Sequence, residues 1–150
     1  MKKISTAISQ FKQAKTVARQ CKDQIRGMGV LENMANAHIK MGKPKKGVEN
    51  LEAALTLAKK MGSKKDQGII LKKLGDFYRQ LKEFEKAAEF YEKGWPKIRK
   101  GTDFKFEYSL LNSLGETYSE LNNDEKALIC FRHAKSIGKK MANNIWKQNH

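Results

Sequence analysis

Residues 71–94 read LKKLGDFYRQLKEFEKAAEFYEKG, and this stretch decides how the chain folds. Its first half carries a stripe at i, i+3, i+4 and i+7, the spacing of one helical face, formed by Leu71, Leu74, Gly75 and Tyr78. Its second half carries another stripe at helical spacing, formed by Ala87, Tyr91 and Gly94. Because Gly75 and Ala87 have almost no side chain, we expect the two helices to touch there.

The same pattern recurs forty residues away in both directions, which indicates an internal repeat. The later copy consists of Leu111, Leu114, Gly115, Tyr118, Ala127, Phe131 and Ala134. The earlier copy consists of Leu31, Met34, Ala35, His38, Gly47, Leu51 and Ala54. One further shift reaches the second half of the pattern alone, as Ala7, Phe11 and Ala14. Large positions mostly stay large and small positions stay small.

These motifs resemble the tetratricopeptide repeat (TPR) family, in which L-G-x-x-Y on helix A precedes A-x-x-x-F/Y-x-x-A on helix B. Here they read LGDFY with AAEFYEKG, and LGETY with ALICFRHA. The usual period is about 34 residues, so the repeat is similar to the longer variety found in kinesin light chains. The first copy departs most, with His38 at the Tyr position, where we expect a packed, hydrogen-bonded histidine.

The resemblance implies an all-α fold, a right-handed superhelical solenoid of antiparallel helix pairs with about seven helices. We expect a single array over 1–150. Its parts are helix B of an incomplete repeat at 3–22, repeat 1 at 25–61, repeat 2 at 65–100, repeat 3 at 103–141, and the start of a further helix A at 142–150. Since both ends stop inside a repeat, we expect either a fragment of a longer array or end helices that contact another molecule, including self-association.

Turn chemistry places the helix boundaries. Gly42 suits a helix end and Pro44 the first turn of the next helix, whereas Ser63 and Asp103 suit helix N-caps. The turn of the last repeat is predicted at Asn122 and Asn123. Proline removes a backbone donor and clashes with the preceding turn, so Pro96 is expected to end or kink its helix near Gly94–Trp95.

No motif in the sequence predicts catalysis, and we expect neither enzymatic activity nor a cofactor or metal. The three histidines, at 38, 133 and 150, fall in separate elements, and HExxH, GxSxG and phosphate-binding glycine loops are absent. Cys21 and Cys130 are far apart and predict reduced thiols that act as small buried or half-buried apolar residues. No apolar run is long enough to span a membrane. We expect an intracellular, cytoplasmic protein.

A binding surface is the remaining interpretation. In the TPR family, the A helices line a concave groove that holds a peptide or helix. The matching positions here are Glu32, Asn33, Asn36, Lys40, Lys72, Lys73, Asp76, Arg79, Asn112, Ser113, Glu116 and Ser119. Asparagine is informative because its amide both donates to and accepts from a peptide backbone. Glu32 stands where the chaperone-tail clamp needs lysine, which argues against that clamp. Simple solvation of these residues stays an alternative.

The net charge of +15 predicts a second, acidic partner. The predicted A helices are nearly balanced in charge, so the excess lies on a basic outer face formed by Lys43, Lys45, Lys46, Lys59, Lys60, Lys64, Lys65, Lys97, Arg99, Lys100, Lys135, Lys139 and Lys140. A cytoskeletal polymer or an acidic protein tail fits this charge. Non-specific nucleic-acid binding, an anionic membrane surface, a purely solubilising role and the peptide-sensing part of a larger regulator stay open.

Overall fold

A computed structural model describes residues 2–98 and 103–149, except for the side chains of residues 2–5 and Phe11. These residues form helices and no strand, which confirms the all-α prediction. The helices are α1 (Lys2–Lys40), α2 (Pro44–Lys60), α3 (Lys64–Gln80), α4 (Phe84–Ile98), α5 (Phe104–Glu120) and α6 (Asp124–Asn149). The chain divides into two compact units, residues 1–62 with α1 and α2, and residues 63–150 with α3 to α6.

The first unit is a helical hairpin in which α2 packs on the second half of α1. Its buried residues are Met28, Ala35, Leu51, Ala54 and Ala58. A Cβ on Gly47 would lie 3.2 Å from the Ala35 carbonyl oxygen, so this glycine lets the two helices approach closely. His38 is half-buried and shares a 2.8 Å hydrogen bond with the Asn50 amide, which confirms the prediction for this histidine.

Helix α1 runs unbroken from Lys2 to Lys40, so the predicted break between a helix at 3–22 and repeat 1, which was to begin at residue 25, is wrong. Gly27 and Gly29 weaken a helix by up to about 1 kcal/mol each, but neither adopts a left-handed conformation that would end it. Gly42 does, with φ of 75°, and α1 ends just before it. The joined helix reduces the helix count from the predicted seven or so to six in the described residues.

In the second unit, α3 pairs with α4, α5 pairs with α6, and α4 also packs on α5. The glycines of the helix A motif lie against aromatic rings of helix B. A Cβ on Gly75 would lie 2.6 Å from the Tyr91 ring, and one on Gly115 would lie 2.6 Å from the Phe131 ring. The glycine of helix A therefore accommodates an aromatic ring of helix B, four residues beyond the predicted alanine.

Two predicted helix ends are also wrong. Helix α4 continues through Pro96 to Ile98 and does not end near Gly94–Trp95, and Trp95 and Ile98 on either side of the proline pack against the core. Helix α6 continues to Asn149 without a break after residue 141. The predicted N-caps are confirmed, since the side chains of Ser63 and Asp103 accept bonds from backbone N–H groups of α3 and α5.

Candidate binding face on α3 and α5

Asp76 is the centre of a polar network on α3. The Tyr91 hydroxyl on α4 donates a hydrogen bond to one carboxylate oxygen of Asp76. The Lys72 ammonium lies 2.9 Å from the other oxygen, one helical turn away. Lys72 also lies 5.9 Å from the centre of the Phe106 ring on α5. Both oxygens of the carboxylate are therefore held in place, which fixes the orientation of an acceptor at this surface.

Tyr91 is a residue that sequence reasoning placed only in the core. Its side chain is fully buried, and this burial, followed by the hydrogen bond to Asp76, raises the pKa of the phenol well above its usual range. The Ser113 hydroxyl on α5 is a further hydrogen-bonding neighbour. The sequence contained a clue to this role of Tyr91. The equivalent positions of the other repeats hold Phe131 and Leu51, which lack a hydroxyl group. A tyrosine hydroxyl that is buried at this position needs a polar partner.

A second contact links α3 to α5, in addition to that between Lys72 and Phe106. The Arg79 guanidinium on α3 lies 2.8 Å from the Glu116 carboxylate on α5, and both side chains are partly or largely exposed. One turn earlier on α5, Asn112 and Ser113 are half-buried. Contacts among α3, α4 and α5 thus involve five of the predicted groove residues, Lys72, Asp76, Arg79, Ser113 and Glu116. The sixth residue of this candidate face, Asn112, lies one helical turn before Glu116 on α5.

The other six predicted groove residues lie at further positions of α1, α3 and α5. Lys73 is half-buried on α3, and Ser119 is exposed near the end of α5. The other four lie on α1 in the first unit, where one is half-buried and three are exposed: Glu32, Asn33, Asn36 and Lys40.

The predicted basic residues fall into groups. In the first unit, exposed lysines lie at the α1–α2 turn and at both ends of α2: Lys43, Lys45, Lys46, Lys59 and Lys60. In the second unit, exposed lysines lie on α6: Lys135, Lys139 and Lys140. Lys64 and Lys65 are exposed in the first turn of α3. Lys97 is half-buried, and Arg99 and Lys100 lie outside the described residues.

The described residues hold no group of three His, Cys, Asp or Glu side chains arranged to bind a metal. Cys130 is buried, and burial raises the pKa of its thiol. Cys21 is exposed, against the prediction, because α2 does not reach its part of α1. In the part of the chain that the structure describes, no helix has the length and apolarity to cross a membrane.

Comparisons with known proteins identify the fold. Two tetratricopeptide repeat family models match residues 28–94 and 108–138, together more than half of the chain. The search of curated proteins finds no match. Among solved structures, BtubC from P. vanneervenii superposes with a TM-score of 0.72 at 18% identity, covering 77% of this chain and 48% of that one. The chain therefore spans about half the length of BtubC.

Two further structures share the fold. The N-terminal domain of stress-induced protein-1 from C. elegans has a TM-score of 0.68 at 15% identity, covering 85% of this chain and 98% of that domain. Kinesin light chain-type TPR-like repeats from P. anserina have a TM-score of 0.64 at 16% identity, covering 75% of this chain and 56% of that one.

The chain belongs to the tetratricopeptide repeat family. Its fold is the TPR solenoid of helix pairs, with repeats like those of kinesin light chains, as the sequence predicted. That fold is a scaffold for protein–protein interaction.

Proposed function

We propose that the protein holds an extended peptide segment of a partner protein on the polar face of α3 and α5, and that it acts by binding rather than by catalysis. The residues that contact the peptide are Lys72, Asp76, Arg79, Asn112, Ser113 and Glu116.

The observation that carries this proposal is the double anchoring of Asp76 by Tyr91 and Lys72. A carboxylate held by two charge-assisted or buried partners loses little conformational entropy when it accepts a further hydrogen bond. Half-buried Asn112 adds one donor and one acceptor, which matches the alternating N–H and C=O groups of an extended backbone. Solvated Lys and Arg side chains that lack such partners would not hold a hydrogen-bonding group in one fixed orientation.

A displayed peptide library tests this function directly. Peptides are selected on the full wild-type chain and then measured against the Asn112→Ala and Lys72→Ala variants. A loss of about tenfold in affinity for each variant supports the proposal. As a matched control, Asn144→Ala removes an exposed amide from α6 and leaves affinity unchanged. Selected peptides that bind all three variants equally would show that the polar face is not the binding site.

The exposed lysines of the first unit support a second part of the proposal, attraction of an acidic partner such as an acidic protein tail or a cytoskeletal polymer. This attraction is diffuse, because lysine offers a point charge and no planar fork. It weakens steeply with salt and is lost when Lys43, Lys45, Lys46, Lys59 and Lys60 are changed to Glu. Binding of an acidic polypeptide that is indifferent to both salt and these changes contradicts it.

Nucleic acid is the rival ligand for the same lysines. Few aromatic side chains accompany them, which argues against base stacking. A mobility-shift titration distinguishes an acidic protein partner from nucleic acid. If the partner is a protein, we expect no complex with duplex or single-stranded nucleic-acid probes at physiological salt. A retained complex there, with the steep salt dependence of phosphate contacts, would favour the rival.

A further inference from the structure

The first half of α1 is a long helical surface exposed to solvent. Every described side chain in residues 6–23 is exposed, and helix α2 covers α1 only from about residue 24 onward. Apolar side chains are among the exposed ones, with Val17 at 56% and Ile25 at 55% of their full accessible surface. An apolar helix surface of this length calls for an occupant.

The repeat shows what kind of element covers such a surface. Three periods later, the equivalent stripe of α6 is packed against α5. Its members Ala127, Ala134, Ile137 and Met141 correspond to Ala7, Ala14, Val17 and Cys21. Ile137 is only 8% exposed where Val17 is 56% exposed. The same kind of stripe is thus covered by a helix at one end of the chain and uncovered at the other.

Charge specifies the occupant further. Residues 2–26 hold seven Lys and Arg but only one acidic residue, Asp23. Four of the basic residues, Lys12, Arg19, Lys22 and Arg26, recur at helical spacing beside the apolar stripe. The helix that covers the α6 stripe is acidic, since residues 103–121 contain one basic and four acidic residues. A second basic copy of α1 would be repelled.

We propose that the exposed stripe of α1 binds an acidic amphipathic helix of a partner protein, antiparallel and in the position that α5 takes on α6. This site is separate from the polar face of α3 and α5. By analogy with α5, the incoming helix presents apolar residues at i, i+3 and i+7 and a small residue at i+4. In α5 these are Leu111, Leu114, Tyr118 and Gly115.

Cys21 provides the test, because it is exposed while Cys130 is buried. The probe is a synthetic peptide of residues 103–121 with Phe104→Cys, whose cysteine is supplied as a mixed disulfide with 2-nitro-5-thiobenzoate. The Cys21 thiolate attacks the peptide sulfur and releases 2-nitro-5-thiobenzoate, so the exchange needs no oxidant. Phe104 and Met141, the counterpart of Cys21, pack against one apolar cluster, so a thiol at position 104 lies near Cys21 in the proposed complex. We expect the mixed disulfide with Cys21 of the full chain to form at least about tenfold faster than with a Ser119→Cys peptide, which has the same charge. Intact mass and peptide mapping measure this rate.

A charge-matched pair of protein variants completes the experiment. Changing Lys12, Arg19 and Arg26 to Glu removes most of the rate advantage, whereas changing the exposed α6 residues Lys126, Arg132 and Lys147 to Glu does not. Equal rates for the two peptides, or equal loss in the two variants, overturn the proposal, because either result reduces it to diffuse attraction. The Asn112→Ala variant reacts normally, so failure here is distinguishable from failure of the polar face.

Two other occupants of the stripe, a membrane surface and a second copy of the chain, would give different results. Flotation of the chain with phosphatidylserine vesicles, abolished by Val17→Asp and combined with equal peptide rates, would assign the stripe to a membrane surface. Sedimentation that shows a dimer dissociated by Val17→Asp would assign it to a second copy. Either result overturns the proposal. A monomer that stays off the vesicles and shows the register-dependent disulfide supports it.

Discussion

The buried hydroxyl of Tyr91 on α4 donates to the Asp76 carboxylate at the surface of α3. This bond connects the core of the second unit to the candidate binding face, because the Tyr91 ring fills the space left by Gly75 while its hydroxyl reaches the polar network. One residue thus both packs the helix pair together and orients an acceptor on the proposed binding face. Packing and the proposed binding face are connected at this point of the fold.

Removing that hydroxyl tests the coupling. We expect Tyr91→Phe to lower the free energy of unfolding by about 1–2 kcal/mol, because it deletes a hydrogen bond to a charged acceptor and keeps the ring. Urea unfolding followed by circular dichroism measures the change. Tyr118→Phe is the matched control, since no hydrogen bond of the Tyr118 hydroxyl occurs among the described residues, and it should change stability by less than about 0.5 kcal/mol. Equal effects would contradict the account.

High pH tests the same bond differently. The folded state raises the pKa of Tyr91 above its usual value of 10.0, so above pH 10.0 the unfolded chain releases this proton while the folded chain keeps it. The stabilisation is therefore complete below pH 10.0 and declines as pH rises, by up to about 1.4 kcal/mol per pH unit. Urea unfolding across pH 9–11.5 should show a steeper decline for wild type than for Tyr91→Phe. Parallel declines would argue that lysine titration alone is responsible.

Two glycine substitutions should change the free energy of unfolding in opposite directions. In Gly75→Ala the new methyl group would meet the buried Tyr91 ring at 2.6 Å, and overpacking of about 1–3 kcal/mol outweighs the helix propensity gained. In Gly29→Ala the methyl group meets nothing within 4 Å, so the propensity gain of up to about 1 kcal/mol should appear as stabilisation. Thermal and urea unfolding of both variants provide the comparison. A Gly75→Ala protein that is at least as stable as wild type would contradict the tight contact between Gly75 and the Tyr91 ring.

Periodicity predicted the fold well, and local signals predicted most turns. Ser63, Asp103 and Gly42 act as expected because capping and left-handed turns depend on the residue itself. The continuity of α1 was not predictable in this way, since glycines inside a helix weaken it without ending it. Pro96 likewise predicted a helix end that α4 does not show, because the packing of Trp95 and Ile98 against the core depends on three-dimensional contacts.

The site was predictable only in outline. Helix A positions could be chosen from the family resemblance, but their partners depend on three-dimensional contacts. The pairing of Arg79 with Glu116 joins residues 37 positions apart, and that of Asp76 with Tyr91 crosses from one helix to another. No periodic pattern encodes such pairs. The Tyr in place of Phe at position 91 was the one local clue.

The polar face is tested most directly by a calorimetric titration. A peptide selected on the wild-type chain is titrated into wild type, Asn112→Ala and the control Asn144→Ala at physiological salt. We expect unchanged affinity for the control and an affinity about tenfold weaker for Asn112→Ala, which is a loss of about 1.4 kcal/mol in the free energy of binding. Identical affinities for Asn112→Ala and wild type would contradict the claim that this protein binds its partner through the face of α3 and α5.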